Sequence, residues 1–413
     1  MKTLFALSML AWVAPALTPS AQAVTHTGEI FATDLHGQVL TRFYKAPSDD
    51  ADRTVVYYFP KSVRNVRAGA KPRKTLFFLH GGGFDTADDA SATAQGISRI
   101  ESFIPYAEEN KVILIFPTSA YGWNAHTSYF LRHLVRDCQA QLAIDDDHMV
   151  LAGQSMGGMG ISREYPWLTD LFSGFLGMSS GTQPSMVKEN LLLPYLNGTP
   201  YIQMNPKDDE HFADFDDLMR KFKTELEAVE TKYGRTATFE LVFREGGHNF
   251  APHMEKVETQ LDRLFQVPKN RFPKFFLSRL DRVNRVATTA QLSKTETDAA
   301  GVKTTVTKTA IVPKVEAQVD ETFWIQVKNF KNETPPAPPS SERLLLLVEV
   351  QGQEIRLTRR EDTLKPAVAL LDLNSRLIRM NQPVTVTVDG KVVFHGKVSR
   401  RTKLSVPLDA SSP

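Results

Sequence analysis

Between residues 38 and 266 the chain alternates two hydrophobic periods. Short, nearly unbroken apolar runs at 38–44, 54–59, 75–79, 112–116, 149–152, 175–178, 201–204 and 238–243 predict strands. Between them, apolar residues recur at helical spacing. The clearest stripe is Phe215, Leu218, Met219, Phe222, Leu226, Val229 and Tyr233, which predicts a helix over 215–233 stopped by Gly234. A second stripe carries Met254, Val257, Leu261, Leu264 and Phe265. Strands apolar at consecutive positions are buried on both faces. An antiparallel first pair followed by alternating strands and helices therefore predicts an α/β fold with a mainly parallel sheet covered by helices on both faces. In such sheets ligands bind at the carboxyl ends of the strands.

The pattern changes after the break Val267-Pro268-Lys269-Asn270-Arg271-Phe272-Pro273. Thr- and Val-rich segments with period two follow at 304–312, 316–327, 343–350 and 354–357, the last two flanking Gly352. Residues 383–394 read as a hairpin turning at Asp389-Gly390. This predicts a smaller all-β, sandwich-like accessory unit over 275–410, with a Pro-rich loop at 335–341 inside it. A Pro-containing junction is also where few contacts are expected to cross, so the two halves are expected to be separable. At the other end, Lys2, the apolar run 4–17 and the small residues Ala21 and Ala23 predict a secretory signal over 1–23. The first, α/β unit then spans 24–268, and the protein is expected to be secreted or periplasmic, without stable membrane insertion once the signal is cleaved.

Composition narrows this further. A chain of 413 residues with 42% hydrophobic and 23% charged residues is globular. Its one cysteine, Cys138, excludes an intrachain disulfide and a thiolate zinc cluster. A net charge of +2 gives no support for a nucleic-acid partner. The balance hides an asymmetry: residues 24–270 hold 25 basic and 32 acidic side chains, and residues 271–413 hold 23 and 15. The basic half suits an anionic polymer or envelope surface, contact with the acidic half, or a plain structural role.

The chemically suggestive motifs fall at predicted strand ends. Gly153-Gln154-Ser155-Met156-Gly157-Gly158 follows the strand 149–152 and precedes a helical pattern, the setting in which a G-x-S-x-G turn exposes its serine. His80-Gly81-Gly82-Gly83 follows the strand 75–79, and its glycines let backbone N–H groups face a developing oxyanion. Gly82, Gly83 and the Met156 N–H are the candidate donors. A serine nucleophile needs a histidine base oriented by a carboxylate. His248, in Gly246-Gly247-His248, ends the last strand of the series, and Asp208 follows the strand 201–204 with Asp209 as its alternative. The acidic run around them reads equally as a solvated loop and helix start. His80 is expected to be structural, and Tyr121, Trp123 and Tyr129 are candidates for a substrate pocket. No metal and no cofactor are implied.

On these motifs, together with Ile144-Asp145, Tyr165-Pro166, Leu171-Phe172 and Ser180-Gly181, the segment 74–266 resembles the α/β-hydrolase superfamily, within it the secreted esterases related to poly(3-hydroxybutyrate) depolymerases and feruloyl or acetylxylan esterases. The resemblance implies Ser155 as nucleophile, Asp208 as acid and His248 as base. Such proteins usually carry Gly where Asn205 stands. The implied activity is hydrolysis of a carboxylic ester through an acyl-serine, with polyester oligomers or acyl and feruloyl sugar esters as substrates. A serine peptidase on the same scaffold and a catalytically idle polymer-binding protein are the alternatives.

Overall fold

The computed structural model describes residues 24–25, 35–46, 52–82, 88–120, 122–123, 127–182, 187–209, 215–285, 288–297, 302–312, 315–319, 321–330, 340–362 and 366–408. The signal expected over 1–23 and residues 335–339 of the Pro-rich loop lie outside them.

Nine strands form the first sheet: β1 (Val24–Thr25), β2 (Val39–Lys45), β3 (Asp52–Tyr58), β4 (Arg73–Leu79), β5 (Ile113–Pro117), β6 (Ile144–Gln154), β7 (Gly174–Met178), β8 (Tyr201–Pro206) and β9 (Phe239–Arg244). Their spatial order is β1-β2-β3-β5-β4-β6-β7-β8-β9. The β2–β3 and β3–β5 pairs are antiparallel, and every pair from β5 through β4 to β9 is parallel. The helices are α1 (Asp89–Asn110), α2 (Thr127–Gln141), α3 (Met156–Leu168), α4 (Glu189–Leu192), α5 (Phe215–Tyr233) and α6 (Met254–Phe265). On β4, Phe77 and Leu79 join one core with Leu131, Ile161, Tyr165 and Phe222, while Leu76 and Phe78 join another with Ile100, Phe103, Val257 and Leu261. Successive side chains of a strand point to opposite faces, so a sheet covered on both sides needs apolar residues at consecutive positions. The α5 helix has the bounds its apolar stripe predicts and ends at Gly234, where φ is 61°. The strand expected at 149–152 begins earlier. Its polar start, Ile144 to His148, passes a register shift between Ile144 and Met149 opposite β4, and half-buried Asp and His side chains give no hydrophobic signal there.

The second half is a sandwich. One sheet has the order β13-β10-β16-β17-β19-β20 and the other β14-β15-β18-β21. The first comprises β10 (Phe275–Arg285), β13 (Val315–Val319), β16 (Ser340–Gln351), β17 (Glu354–Asp362), β19 (Pro383–Val388) and β20 (Lys391–Lys397); the second comprises β14 (Glu321–Thr322), β15 (Ile325–Phe330), β18 (Pro366–Leu373) and β21 (Thr402–Pro407). Among the described residues, a ribbon of β11 (Thr288–Thr297) and β12 (Lys303–Val312) pairs only with itself. Leu344, Leu346, Val348 and Val386 meet Ile325, Val327, Leu371 and Val406 between the sheets. The β19–β20 turn places Asp389 at φ 48° and Gly390 at φ 80°, the pair of positive values that an Asp-Gly hairpin accommodates. The single stretch expected at 316–327 is instead divided among β13, β14 and β15, and the chain passes from one sheet to the other there.

The expectation that few contacts cross the junction is overturned. Phe275, Leu277, Leu345 and Leu347, on the outer faces of β10 and β16, belong to the same buried cluster as Trp167, Leu192, Leu193 and Tyr195 of the first half. Arg279 pairs with Asp281 and lies 3.5 Å above the Trp167 ring; Asp281 also accepts from Tyr129 Oη at 2.9 Å and from Arg343 Nε at 3.0 Å. Arg360 pairs with Glu189 across the same boundary. Part of the basic surplus of the second half is therefore spent on the first half rather than displayed to solvent.

Candidate active site

Ser155 stands between β6 and α3 with φ 57° and ψ −119°, a backbone conformation that L-residues rarely adopt. The surrounding glycines have a steric cause. A Cβ at Gly153 would lie 2.5 Å from the Gly157 carbonyl oxygen, one at Gly157 would lie 1.9 Å from the Leu79 carbonyl oxygen, and one at Gly158 would lie 2.3 Å from Ser180 Oγ. The start of α3 is thus pressed against the carboxyl ends of β4 and β7. Met156 is the first residue of α3, where backbone N–H groups have no partner within the helix.

The glycine loop abuts this turn. A Cβ on Gly81 would come within 3.3 Å of Ser155 Cβ, and Gly82 is exposed at φ 133°. Gly83, the other expected oxyanion donor, lies outside the described residues. His80 is buried and its two nitrogens are both engaged: Nε2 accepts from the Ser119 N–H at 3.0 Å, so the proton is on Nδ1, which donates to the Gly81 carbonyl at 2.6 Å. Burial holds its pKa down to about 4, so the ring is neutral. It fixes the loop, as expected.

His248 and its carboxylate depart from the sequence reading in one position. His248 Nδ1 is 2.9 and 3.1 Å from the two carboxylate oxygens of Asp209, with both side chains nearly buried. Asp208 is exposed. The chain bends at Lys207 and Asp208 beyond the end of β8, and the carboxylate that faces the histidine is Asp209. Asn205 accepts from the Ser180 N–H at 3.1 Å and from Gln203 Nε2 at 2.7 Å. It braces the strand end from which the acid loop departs. The backbone of His248 lies against the Ser155 turn, since Gln154 Nε2 donates to its carbonyl at 3.2 Å.

The expected pocket roles of Trp123 and Tyr129 are also corrected. Trp123 is 1% exposed, donates from Nε1 to the His80 carbonyl at 3.0 Å, and packs against Gly160 of α3. It supports the glycine loop from below. Tyr129 is buried at the junction with the sandwich, and Tyr121 lies outside the described residues. Two residues that sequence reasoning missed, Gln154 and Arg244, touch the His248 loop; the available signal was an arginine ending a mostly apolar strand.

Helix α3 also buries a carboxyl group. Burial pushes the Glu164 pKa up from 4.5 to about 8, against the lowering effect of a Thr127 hydrogen bond at 2.7 Å and of Arg279, Arg163 and Arg53. Above pH 4.5 the unfolded chain would release this proton while the folded one keeps it. The stability linked to Glu164 is therefore complete below that pH and lost as pH rises through about 8, by roughly 1.4 kcal/mol per pH unit at most. Urea unfolding between pH 6 and 8 should show wild type losing stability relative to Glu164→Gln at about that slope. Parallel curves would mean that the buried carboxyl is already ionised.

No protein-family model matches the sequence, and no curated protein matches it. Among solved structures, the chain is similar to a thermostable esterase at 16% identity and a TM-score of 0.41, over 56% of this chain and 63% of that one. It is similar to a ferulic acid esterase at 17% identity and a TM-score of 0.41, over 55% of this chain and 98% of that one. It is likewise similar to an S-formylglutathione hydrolase from Agrobacterium tumefaciens at 12% identity and a TM-score of 0.40, over 56% and 94%. The strand order, the antiparallel second strand of the main series and the serine turn after β6 are those of the α/β-hydrolase fold.

Proposed function

We propose that this protein is a serine hydrolase that cleaves carboxylic esters through an acyl-serine. The observation that carries the reading is the junction of the strained Ser155 turn with the His248–Asp209 pair, joined through the Gln154 bond to the His248 carbonyl. With Nδ1–H directed at Asp209, His248 presents an unprotonated Nε2. That nitrogen takes the Ser155 proton as Oγ adds to the ester carbonyl, and Asp209 stabilises the imidazolium. The Met156 N–H, with that of Gly82, holds the oxyanion. His248 returns the proton to the departing alkoxide, which leaves as the alcohol. Water, deprotonated by the same nitrogen, then releases the acid and restores Ser155.

Polyester oligomers and acyl or feruloyl sugar esters are the proposed substrates, and the leader over 1–23 supports a secreted or periplasmic site of action. Incubation with a fluorophosphonate and peptide mapping tests the reaction class: the label should sit on Ser155 and abolish turnover of a short p-nitrophenyl ester. A label on another residue, or a Ser155-labelled protein of undiminished activity, would remove the assignment. Sequencing of the exported protein should begin at Val24.

A further inference from the structure

We propose that Arg244 is a positioning residue: its buried guanidinium sets the backbone of His248 against the serine turn. This rests on reading Ser155, His248 and Asp209 as the catalytic group. Arg244 ends β9 and is only 4% exposed. Its Nη2 donates to the Gly247 carbonyl at 2.8 Å, to Ser179 Oγ at 3.0 Å and to the His248 carbonyl at 3.4 Å, and Nη1 donates to the Glu245 carbonyl at 3.1 Å. Three carbonyls of one short loop thus converge on one planar cation.

The loop is shaped for that convergence. Gly246 has φ 84°, and a Cβ there would lie 2.2 Å from His253 Nε2, so the chain turns too tightly for any side chain. The other anchor is equally rigid: Ser179 is fully buried at φ 47°, and its N–H donates to the Met204 carbonyl at 3.0 Å. Arg244 therefore ties the histidine loop to the ends of β7 and β8, while Gln154, the residue before the nucleophile, donates to the same His248 carbonyl. Asp209 orients the imidazole ring, and Arg244 with Gln154 locates the backbone that carries it. A lysine offers its donors from a single point and cannot span the same carbonyls with a planar fork.

Misplacing a catalytic group by about 1 Å can cost about 100-fold in rate. Arg244→Met should therefore lower kcat on p-nitrophenyl acetate by about 30- to 100-fold with KM within about twofold, and Arg244→Lys should fall between it and wild type. Fluorophosphonate labelling of Ser155 should slow by a similar factor. Lys223→Gln, whose side chain is exposed on α5 beside Glu227, serves as the control of unchanged rate. A folded Arg244→Met enzyme with wild-type kcat overturns the proposal. So does a loss that active-site titration traces wholly to missing folded protein. If Arg244→Met fails to fold, Gln154→Met decides: kcat lowered about three- to tenfold at unchanged KM supports the shared anchor, and unchanged kcat refutes it. Ser155→Ala is measured alongside. If it retains wild-type turnover, the site reading fails and takes this inference with it; if it is inactive while Arg244→Met is unimpaired, only the positioning role fails.

Discussion

Asp209→Asn should lower kcat on a short p-nitrophenyl ester by about 10⁴-fold, whereas Asp208→Asn should stay within about fivefold of wild type. Asp209 accepts from His248 Nδ1 at 2.9 Å. An asparagine there can turn its NH₂ group toward Nδ1, which favours the tautomer with the proton on Nε2. That nitrogen could then no longer accept the Ser155 proton. Asp208 is exposed, so removing its charge alters the site only through screened, long-range electrostatics. Both variants keep the size of the side chain, and a cooperative thermal transition checks that both fold. The reverse pattern of rates would return the role to Asp208.

A chain ending at Lys269 should fail to give a soluble, cooperatively folded protein. It would lack Phe275, Leu277, Leu345 and Leu347 and would expose the Trp167, Leu192 and Leu193 surface that they cover. Each large apolar side chain contributes about 1.5–3 kcal/mol on burial, so four of them approach the roughly 5–15 kcal/mol that holds a whole domain together. The Arg279–Asp281–Arg343 group would go too, leaving Tyr129 Oη without its carboxylate. Size-exclusion chromatography and a thermal melt decide the matter: a monodisperse truncated protein that melts cooperatively and hydrolyses small esters at the full-length rate would show that the sandwich is dispensable to the core. Leu347→Asp in the full chain should show the same weakness in milder form, as a lowered Tm.

The basic residues of the second half bear on the same point. Arg356 with Glu354, Arg359 with Asp389 and Arg401 with Asp372 are ion pairs inside the sandwich, and Arg279, Arg343 and Arg360 face the first half. A charge count along the chain cannot tell a displayed cation from a paired one, because the partner is often distant in sequence.

The elements themselves were largely determined by local sequence. Unbroken apolar runs mark strands buried on both faces, the stripe from Phe215 to Tyr233 marks a helix, Asp389-Gly390 permits the positive φ values of a tight hairpin, and the glycines around Ser155 are demanded by a turn too crowded for Cβ atoms. These signals are legible because each depends on residues a few positions apart. What tertiary structure alone decided concerns partners far away in the chain. Asp208 and Asp209 are adjacent and chemically identical, and only the path of the backbone after β8 turns the second toward His248. Trp123 is aromatic and rim-placed in sequence, yet the close approach of α3 at Gly160 draws it beneath the glycine loop. The run from Leu344 to Val348 is apolar at every position because β16 has a sandwich core on one face and the core of the first half on the other. Periodicity shows that both faces are buried; only the assembled chain shows what buries them.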